Sequence, residues 1–111
     1  MNLEDREVYG GILAARQEGR PCALATVVAT RGSTPRKNGA KMLVAPGRGL
    51  IGTVGGGCGE AEVIAVARRV METDAIETVK VDLTDDPMAW TGSICGGVLD
   101  VLVEPILPEG S

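Results

Sequence analysis

Hydrophobic residues recur along the chain with two periods, one typical of helices and the other of strands. Helical spacing predicts a first helix that Asn2 caps and Gly19 ends, and a second helix from Glu60 to Glu72. In the first helix Val8, Ile12 and Ala15 fall on one face, with Tyr9 and Leu13 beside them. The positions expected to be buried in the second helix are Val63, Val66, Ala67 and Val70.

Five segments have the pattern of strands. Residues 22–30 are nearly all apolar or β-branched, which predicts a strand covered on both faces, whereas residues 76–83 alternate as a half-exposed strand does. The other strands are expected at 41–45, 50–54 and 98–103. The order α-β-β-β-α-β-β predicts one domain over residues 1–111, an α/β sandwich with a mixed sheet of about five strands and two main helices.

Composition and charge narrow the possible functions. The 111 residues suffice for one core, which must be aliphatic because the chain has no Phe, one Trp and one Tyr. A net charge of −4 argues against nucleic acid as a partner. No apolar run approaches the roughly 20 residues of a membrane span, and the N-terminal residues lack the pattern of a signal peptide. A cytoplasmic protein that does not enter a membrane is therefore expected.

The chain has three cysteines and no histidine. Without histidine, a Ser-His-Asp triad, a Cys-His pair and a histidine-ligated zinc site are all impossible within this chain. An odd number of cysteines without a secretion signal indicates reduced thiols.

The strongest local signal is the turn Gly55-Gly56-Gly57-Cys58, between a predicted strand and a predicted helix. Glycines there leave backbone N–H groups open to a ligand, and the helix start adds a partial positive charge, so the turn predicts an anion cradle beside a reactive sulfur. The spacing fits neither a dinucleotide fingerprint nor a Walker A loop. The alternative is that the glycines only permit tight packing.

Other residues could complete such a site. Cys95-Gly96-Gly97 sets a second thiol beside glycines, and two thiolates suit a soft metal or a sulfur-rich ligand, although a buried structural cysteine is the alternative. The loop with Ser33, Arg36 and neighbouring cations could bind phosphate or simply be solvated, and Lys41 follows it. Glu60 could accept hydrogen bonds from a ligand or only complement the helix dipole.

Several motifs in this order resemble the XdhC/CoxI family, the accessory proteins of xanthine dehydrogenase and aerobic carbon monoxide dehydrogenase. The matching stretches are Gly32-Ser33-Thr34-Pro35-Arg36, Gly39-Ala40-Lys41-Met42, residues 52–60, Cys95-Gly96-Gly97 and residues 101–105. The resemblance covers residues 10–106, which corresponds to an N-terminal XdhC/CoxI domain without the second, Rossmann-like domain that many members carry.

The resemblance implies a chaperone that binds the molybdenum cofactor, as a mononucleotide or dinucleotide form, and inserts it into an apo molybdenum hydroxylase. Implied partners are that hydroxylase, a separate Rossmann-domain subunit, a cysteine desulfurase and a second copy in a homo-oligomer. The implied cofactor-binding residues are Gly55, Gly56, Gly57, Cys58, Glu60, Ser33, Arg36, Lys41, Cys95, Gly96 and Gly97, with Cys58 or Cys95 on molybdenum. A sulfur-relay or redox protein that uses both cysteines, and a scaffold that only docks proteins, are the alternatives.

Overall fold

The computed structural model describes residues 3–32, 38–45, 49–52, 60–82 and 97–107. In chain order these form α1 (Leu3–Gln17), β1 (Cys22–Arg31), β2 (Lys41–Ala45), β3 (Gly49–Gly52), α2 (Glu60–Thr73), β4 (Glu77–Asp82) and β5 (Val98–Ile106). The predicted α/β class and element order are confirmed. Asn2, the expected cap of α1, lies outside the described residues.

The five strands form one sheet in the order β3-β2-β1-β5-β4. Every neighbouring pair is antiparallel, so the predicted mixed sheet is wrong. The reason lies in the crossover through α2. This helix joins β3 to β4, and the two strands run in the same direction, as a β-α-β connection requires. They are not neighbours, however, because they lie at opposite edges of the sheet. The three strands between them alternate in direction, so every adjacent pair is antiparallel.

The two helices cover opposite faces of the sheet. On one face α1 packs over β2 and β3, and on the other α2 packs over β1, β4 and β5. A hydrophobic cluster lies under each helix. Successive residues of β1 belong alternately to the two clusters, because strand side chains alternate between faces. Cys22 and Leu24 join the cluster under α1, while Ala23, Ala25 and Val27 join the cluster under α2. The prediction of a strand buried on both faces is confirmed.

The packing of α2 follows its sequence pattern. The four residues predicted to be buried are all buried, and Ile64 and Met71 flank them half-buried. The helix ends where Asp74 takes a left-handed conformation, with φ of 60°, and donates its N–H to the Val70 carbonyl at 2.8 Å. This geometry is that of an αL helix terminus, formed here by aspartate instead of glycine.

An ion pair fastens α2 to β4. Nε and Nη2 of Arg69 each lie 2.7 Å from a carboxylate oxygen of Glu77, which is the two-pronged arrangement that a guanidinium makes best. The hydrogen bond to Arg69 lowers the pKa of Glu77 below its usual range. Both side chains are partly exposed, so the pair links α2 to β4 but adds little to the stability of the fold.

The two adjacent glycines in α1 differ in their surroundings. A Cβ on Gly11 would lie 2.6 Å from Ile51 Cδ1 and 2.8 Å from Leu43 Cδ2, so the missing side chain lets α1 approach β2 and β3 closely. A Cβ on Gly10 would meet nothing within 4 Å. Gly11 therefore has a packing role, whereas Gly10 only weakens the helix.

As predicted, Gly19 terminates α1: it lies two residues after Gln17, the last helical residue, and has a φ of 70°. The N–H of Gly19 donates to the Arg16 carbonyl at 3.2 Å, and the N–H of Arg20 donates to the Ala15 carbonyl at 2.9 Å. These two bonds form a Schellman motif, which turns the chain directly into β1. In the part of the chain that the structure describes, neither helix has the length and apolar character needed to cross a membrane.

Candidate functional site

The strand pairing gathers chain ends at one end of the sheet. Arg31, the last residue of β1, lies opposite Val98, the first residue of β5, and Val98 lies opposite Asp82, the last residue of β4. On the other side of β1, β2 begins at Lys41 and β3 ends at Gly52. We call this the upper end of the sheet and define it by these five residues.

Each stretch that carries a predicted motif leaves from the upper end and returns there. Residues 33–37 connect the end of β1 to the approach to β2, residues 53–59 connect β3 to α2, and residues 83–96 connect β4 to β5. These three segments lie outside the described residues, but the positions of their flanking residues follow from the strand register. The connections at the opposite end are 18–21, 46–48 and 74–76, and none of them carries a predicted motif.

Glu60 is the first residue of α2 and begins the helix at the upper end. The direction of α2 follows from Arg69, which lies nine residues after Glu60, about 13 Å along the helix axis. Arg69 contacts Glu77 at the start of β4, and β4 starts at the opposite end of the sheet. The start of α2 therefore lies at the same end of the sheet as Gly52, the last residue of β3. Glu60 and Glu62 place two carboxylates in the first turn, as the helix dipole favours.

Charged side chains of both signs lie along the upper end. Arg31 Nη2 is 3.5 Å from Asp100 Oδ2, which ties the last residue of β1 to β5. Lys80 lies opposite Asp100 on the neighbouring strand, so this carboxylate has a cation on each side. Lys41 donates from Nζ to the Gly39 carbonyl at 2.9 Å, which holds its ammonium beside the turn that enters β2.

Three of the predicted site residues lie within the described part of the chain, and all three lie at the upper end. They are Lys41 at the start of β2, Glu60 at the start of α2 and the buried Gly97, next to the start of β5. The other predicted site residues lie outside the described residues: Ser33, Arg36, Gly55, Gly56, Gly57, Cys58, Cys95 and Gly96. Their roles remain predictions.

Sequence reasoning did not single out Asp100, which pairs with Arg31, or Lys80, which the register places opposite Asp100. The available signal was the alternation of β5, in which Asp100 is an acidic residue within an otherwise apolar run. Recognising the pair required knowing that β4 and β1 flank β5, and that order depends on non-local pairing.

Cys22, the first residue of β1, lies at the opposite end of the sheet, which we call the lower end. It pairs with Ile106 and is buried under α1. Burial raises the pKa of its thiol, against a smaller opposing effect of Arg16, so the group stays neutral and unreactive at neutral pH. The expected structural role of Cys22 agrees with this position. Among the described residues no group of three or more Cys, Asp or Glu side chains is placed to hold a metal ion.

Comparison with known proteins identifies a matching family and similar proteins. The family model described as the XdhC and CoxI family matches residues 15–82. The chain is 34% identical over 92 residues to the uncharacterized protein YqeB of Escherichia coli, covering 81% of this chain and 17% of that protein. It is 31% identical over 98 residues to a Bacillus subtilis protein described as a probable xanthine dehydrogenase component, covering 86% of this chain and 30% of that protein.

A solved structure has the same architecture. The crystal structure of a xanthine dehydrogenase from Bacillus halodurans superposes with a TM-score of 0.76 at 33% identity, over 92% of this chain and 30% of that chain. The chain thus spans less than a third of the length of each of these relatives. The similarity therefore concerns one portion of larger proteins.

Proposed function

The chain belongs to the XdhC and CoxI family, and we propose that it is an accessory protein of a molybdenum hydroxylase of the xanthine dehydrogenase type. In this proposal it binds the molybdenum cofactor at the upper end of the sheet and delivers it to the apo-hydroxylase in the cytoplasm, where the cysteines stay reduced. The further partners proposed are a cysteine desulfurase and a separate Rossmann-domain subunit.

One observation carries the proposal: the segments with Ser33 and Arg36, with Gly55 to Cys58, and with Cys95 and Gly96 all depart from and return to the upper end. In this proposal these residues, far apart in sequence, lie within reach of one ligand. The lower end has no comparable set. A purely structural use of the glycines gives no reason for all three motifs to share one end.

The described residues fit an anionic ligand that also offers hydrogen-bond donors. The N-terminus of α2 lies at the upper end, where the positive end of the helix dipole favours a phosphate, and Arg31 and Lys41 add positive charge at the same end. Glu60 is a carboxylate, which accepts hydrogen bonds from N–H groups of the kind that a pterin ring carries. In this proposal Glu60 orients the ring, while the glycine-rich segment holds the phosphate.

Cys58 and Cys95 are the proposed contacts to molybdenum or to its sulfur. Thiolates are the soft ligands in this chain, and in the absence of histidine no other side chain would serve a soft metal as well. The bound cofactor would carry the metal and dithiolene chemistry itself, and the protein would hold the phosphate, orient the pterin and keep water from the metal. The chain acts as a carrier in this proposal, without turnover of a substrate.

We expect the wild-type protein, purified from cells that make the cofactor, to carry about one molybdenum and one pterin per chain. Removing the Glu60 carboxylate (Glu60→Ala) should lower that content about tenfold, because a charge-assisted hydrogen bond contributes about 1.5–3 kcal/mol. Metal analysis by mass spectrometry and pterin fluorescence after oxidation would measure both components.

Glu72→Ala is the matched control, since Glu72 is an exposed glutamate near the other end of the same helix. Its cofactor content should equal that of the wild type. A wild-type protein that is free of molybdenum and pterin would contradict the proposal, as would equal losses in the two glutamate variants.

A further inference from the structure

One strip of α1 combines exposed apolar and basic side chains. Because a helix turns by about 100° per residue, Arg6, Tyr9, Gly10 and Arg16 all lie within about 60° of Leu13 on the helix surface. All five residues are exposed, and we call them the α1 strip. Tyr9 is 43% exposed and Leu13 is 58% exposed. Large apolar side chains grouped on one helix indicate an interaction surface more than scattered ones do.

A groove lies along one side of the strip. It has a volume of about 350 Å³ and is lined by Tyr9, Ile12, Leu13 and Arg16. Ile12 is half-buried and packs against the cluster under α1, so the base of the groove is apolar. The groove therefore suits an apolar side chain that enters from another element.

Gly10 forms a notch at the other side of the strip. A Cβ there would meet nothing within 4 Å, so the missing side chain makes room for no neighbour in the described part of the chain. Within this chain its effect is to weaken α1 by about 1 kcal/mol relative to alanine. A glycine on a helix surface also lets a second backbone approach closely. A partner packed on the strip would thus give Gly10 a role that the fold of this chain does not.

The charged side chains of the strip have one sign. Both are arginines, on a chain whose net charge is −4. The exposed Glu7 lies about 120° from Leu13 round the helix, and Asp5, which borders the strip, is half-buried and makes an interaction of its own. Arg6 and Arg16 are separated by ten residues, or about 15 Å along the helix axis. The strip is therefore complementary to a surface with carboxylates at that separation and apolar groups between them.

We propose that the α1 strip is the docking site for an acidic amphipathic helix of a different protein. That helix carries two carboxylates about ten residues apart, one facing Arg6 and the other Arg16, with apolar side chains between them that pack on Tyr9 and Leu13. Its backbone passes closest to α1 at Gly10. The strip of a second copy of this chain does not fit, because it would oppose arginine to arginine in either direction. Docking requires no cofactor, so it can be tested apart from the proposed function.

Photo-crosslinking identifies the docked segment. A photo-reactive benzoyl derivative of phenylalanine in place of Leu13, irradiated in the cells that make the chain, should become joined to a segment of another protein. Mass spectrometry of the joined peptide should find acidic residues about ten positions apart on either side of apolar ones. The same group in place of Ile76 should not join that segment, because Ile76 is 62% exposed but lies between α2 and β4.

A substitution at Gly10 separates docking from stability. The joined segment, made as a labelled synthetic peptide, serves as the probe in fluorescence anisotropy with the full chain. Gly10→Leu should raise the melting temperature, since leucine is a better helix former than glycine. The same leucine would fill the notch, so the dissociation constant of the peptide should rise at least about tenfold. If Gly10 had no role in docking, the stability would rise while the affinity stayed unchanged.

A charge substitution tests the complementarity. Arg6→Gln should weaken peptide binding about threefold and make the remaining affinity less sensitive to salt, as expected for an exposed ion pair. Arg68→Gln is the matched control, because Arg68 is an exposed arginine of α2 and its loss changes the net charge equally. It should leave the affinity unchanged.

Three results would overturn the proposal. The first is a group at position 13 that joins to no protein or only to another copy of this chain. The second is a joined segment without the acidic and apolar pattern. The third is peptide binding that Gly10→Leu does not weaken, or that Arg6→Gln and Arg68→Gln weaken equally. None of these results would alter the cofactor content expected of the wild-type protein, so the two proposals fail separately.

Discussion

Replacing Gly56 with valine or Cys58 with alanine is expected to leave the purified protein nearly free of molybdenum cofactor. A branched side chain at Gly56 would cover the N–H groups proposed to hold the phosphate and would restrict the backbone conformations that the turn can adopt. Loss of the Cys58 sulfur removes a proposed ligand or sulfur carrier. We expect at least a hundredfold weaker binding for Gly56→Val, about 2.7 kcal/mol.

Cys22→Ala is the control for Cys58→Ala. Cys22 is buried at the lower end of the sheet, in the cluster under α1. Its removal should lower thermal stability and leave the molybdenum and pterin content unchanged. Wild-type content in both Gly56→Val and Cys58→Ala would remove the proposed site. A Cys58→Ala protein that keeps the cofactor but no longer accepts a persulfide from a desulfurase would instead favour the sulfur-relay alternative.

Gly11→Val is expected to destabilise the protein by about 2–3 kcal/mol. The new Cβ would start 2.6 Å from Ile51 Cδ1 and 2.8 Å from Leu43 Cδ2, and its two methyl groups would need further space in a filled core. Overpacking of this kind typically costs about 1–3 kcal/mol, occasionally more, and the slightly better helix propensity of valine offsets little of it. The melting temperature should fall by about 10 °C or more.

Gly10→Ala should have the opposite effect, because alanine there gains helix propensity and meets no neighbouring atom within 4 Å. A gain of about 1 kcal/mol is expected, or about 5 °C in melting temperature. Calorimetry at one protein concentration would compare both variants with the wild type. Equal effects of the two substitutions, in either direction, would contradict the close approach of α1 to the sheet.

Local patterns along the chain were sufficient to predict the elements and their buried sides. The spacing of Val63, Val66, Ala67 and Val70 identified the inner face of α2, since a helix places residues three and four apart on one side. The alternation of residues 76–83 identified β4 in the same way. For Gly10 and Gly11, by contrast, spacing alone left the packing role open, because which of them meets the sheet depends on how α1 docks.

The order of the strands could not be predicted from these local patterns, because it depends on contacts between distant segments. Nothing local indicates that β5 inserts between β1 and β4, which makes every pair antiparallel although α2 joins two strands of the same direction. The irregular register between Val27 and Ala29, which leaves Val28 48% exposed, is likewise a product of pairing with β5.

For the candidate site too, some features could be predicted from local motifs and others only from the strand pairing. Sequence motifs identified the residue types, with glycines, thiols and cations in three separate stretches. That residues flanking these stretches lie at one end of the sheet followed only from the register, which sets Arg31, Asp82 and Val98 side by side. Asp100 had no motif of its own, and its position beside Arg31 became visible only with the paired strands.

Hydrogen–deuterium exchange of the full chain, with and without the molybdenum cofactor, tests most directly whether the three segments share one ligand. We predict slower exchange in peptides covering residues 33–37, 53–59 and 83–96, and in the first turn of α2, with no change at 18–21, 46–48 or 74–76. Protection of the lower end, or no protection anywhere when cofactor is present in excess, would contradict the account.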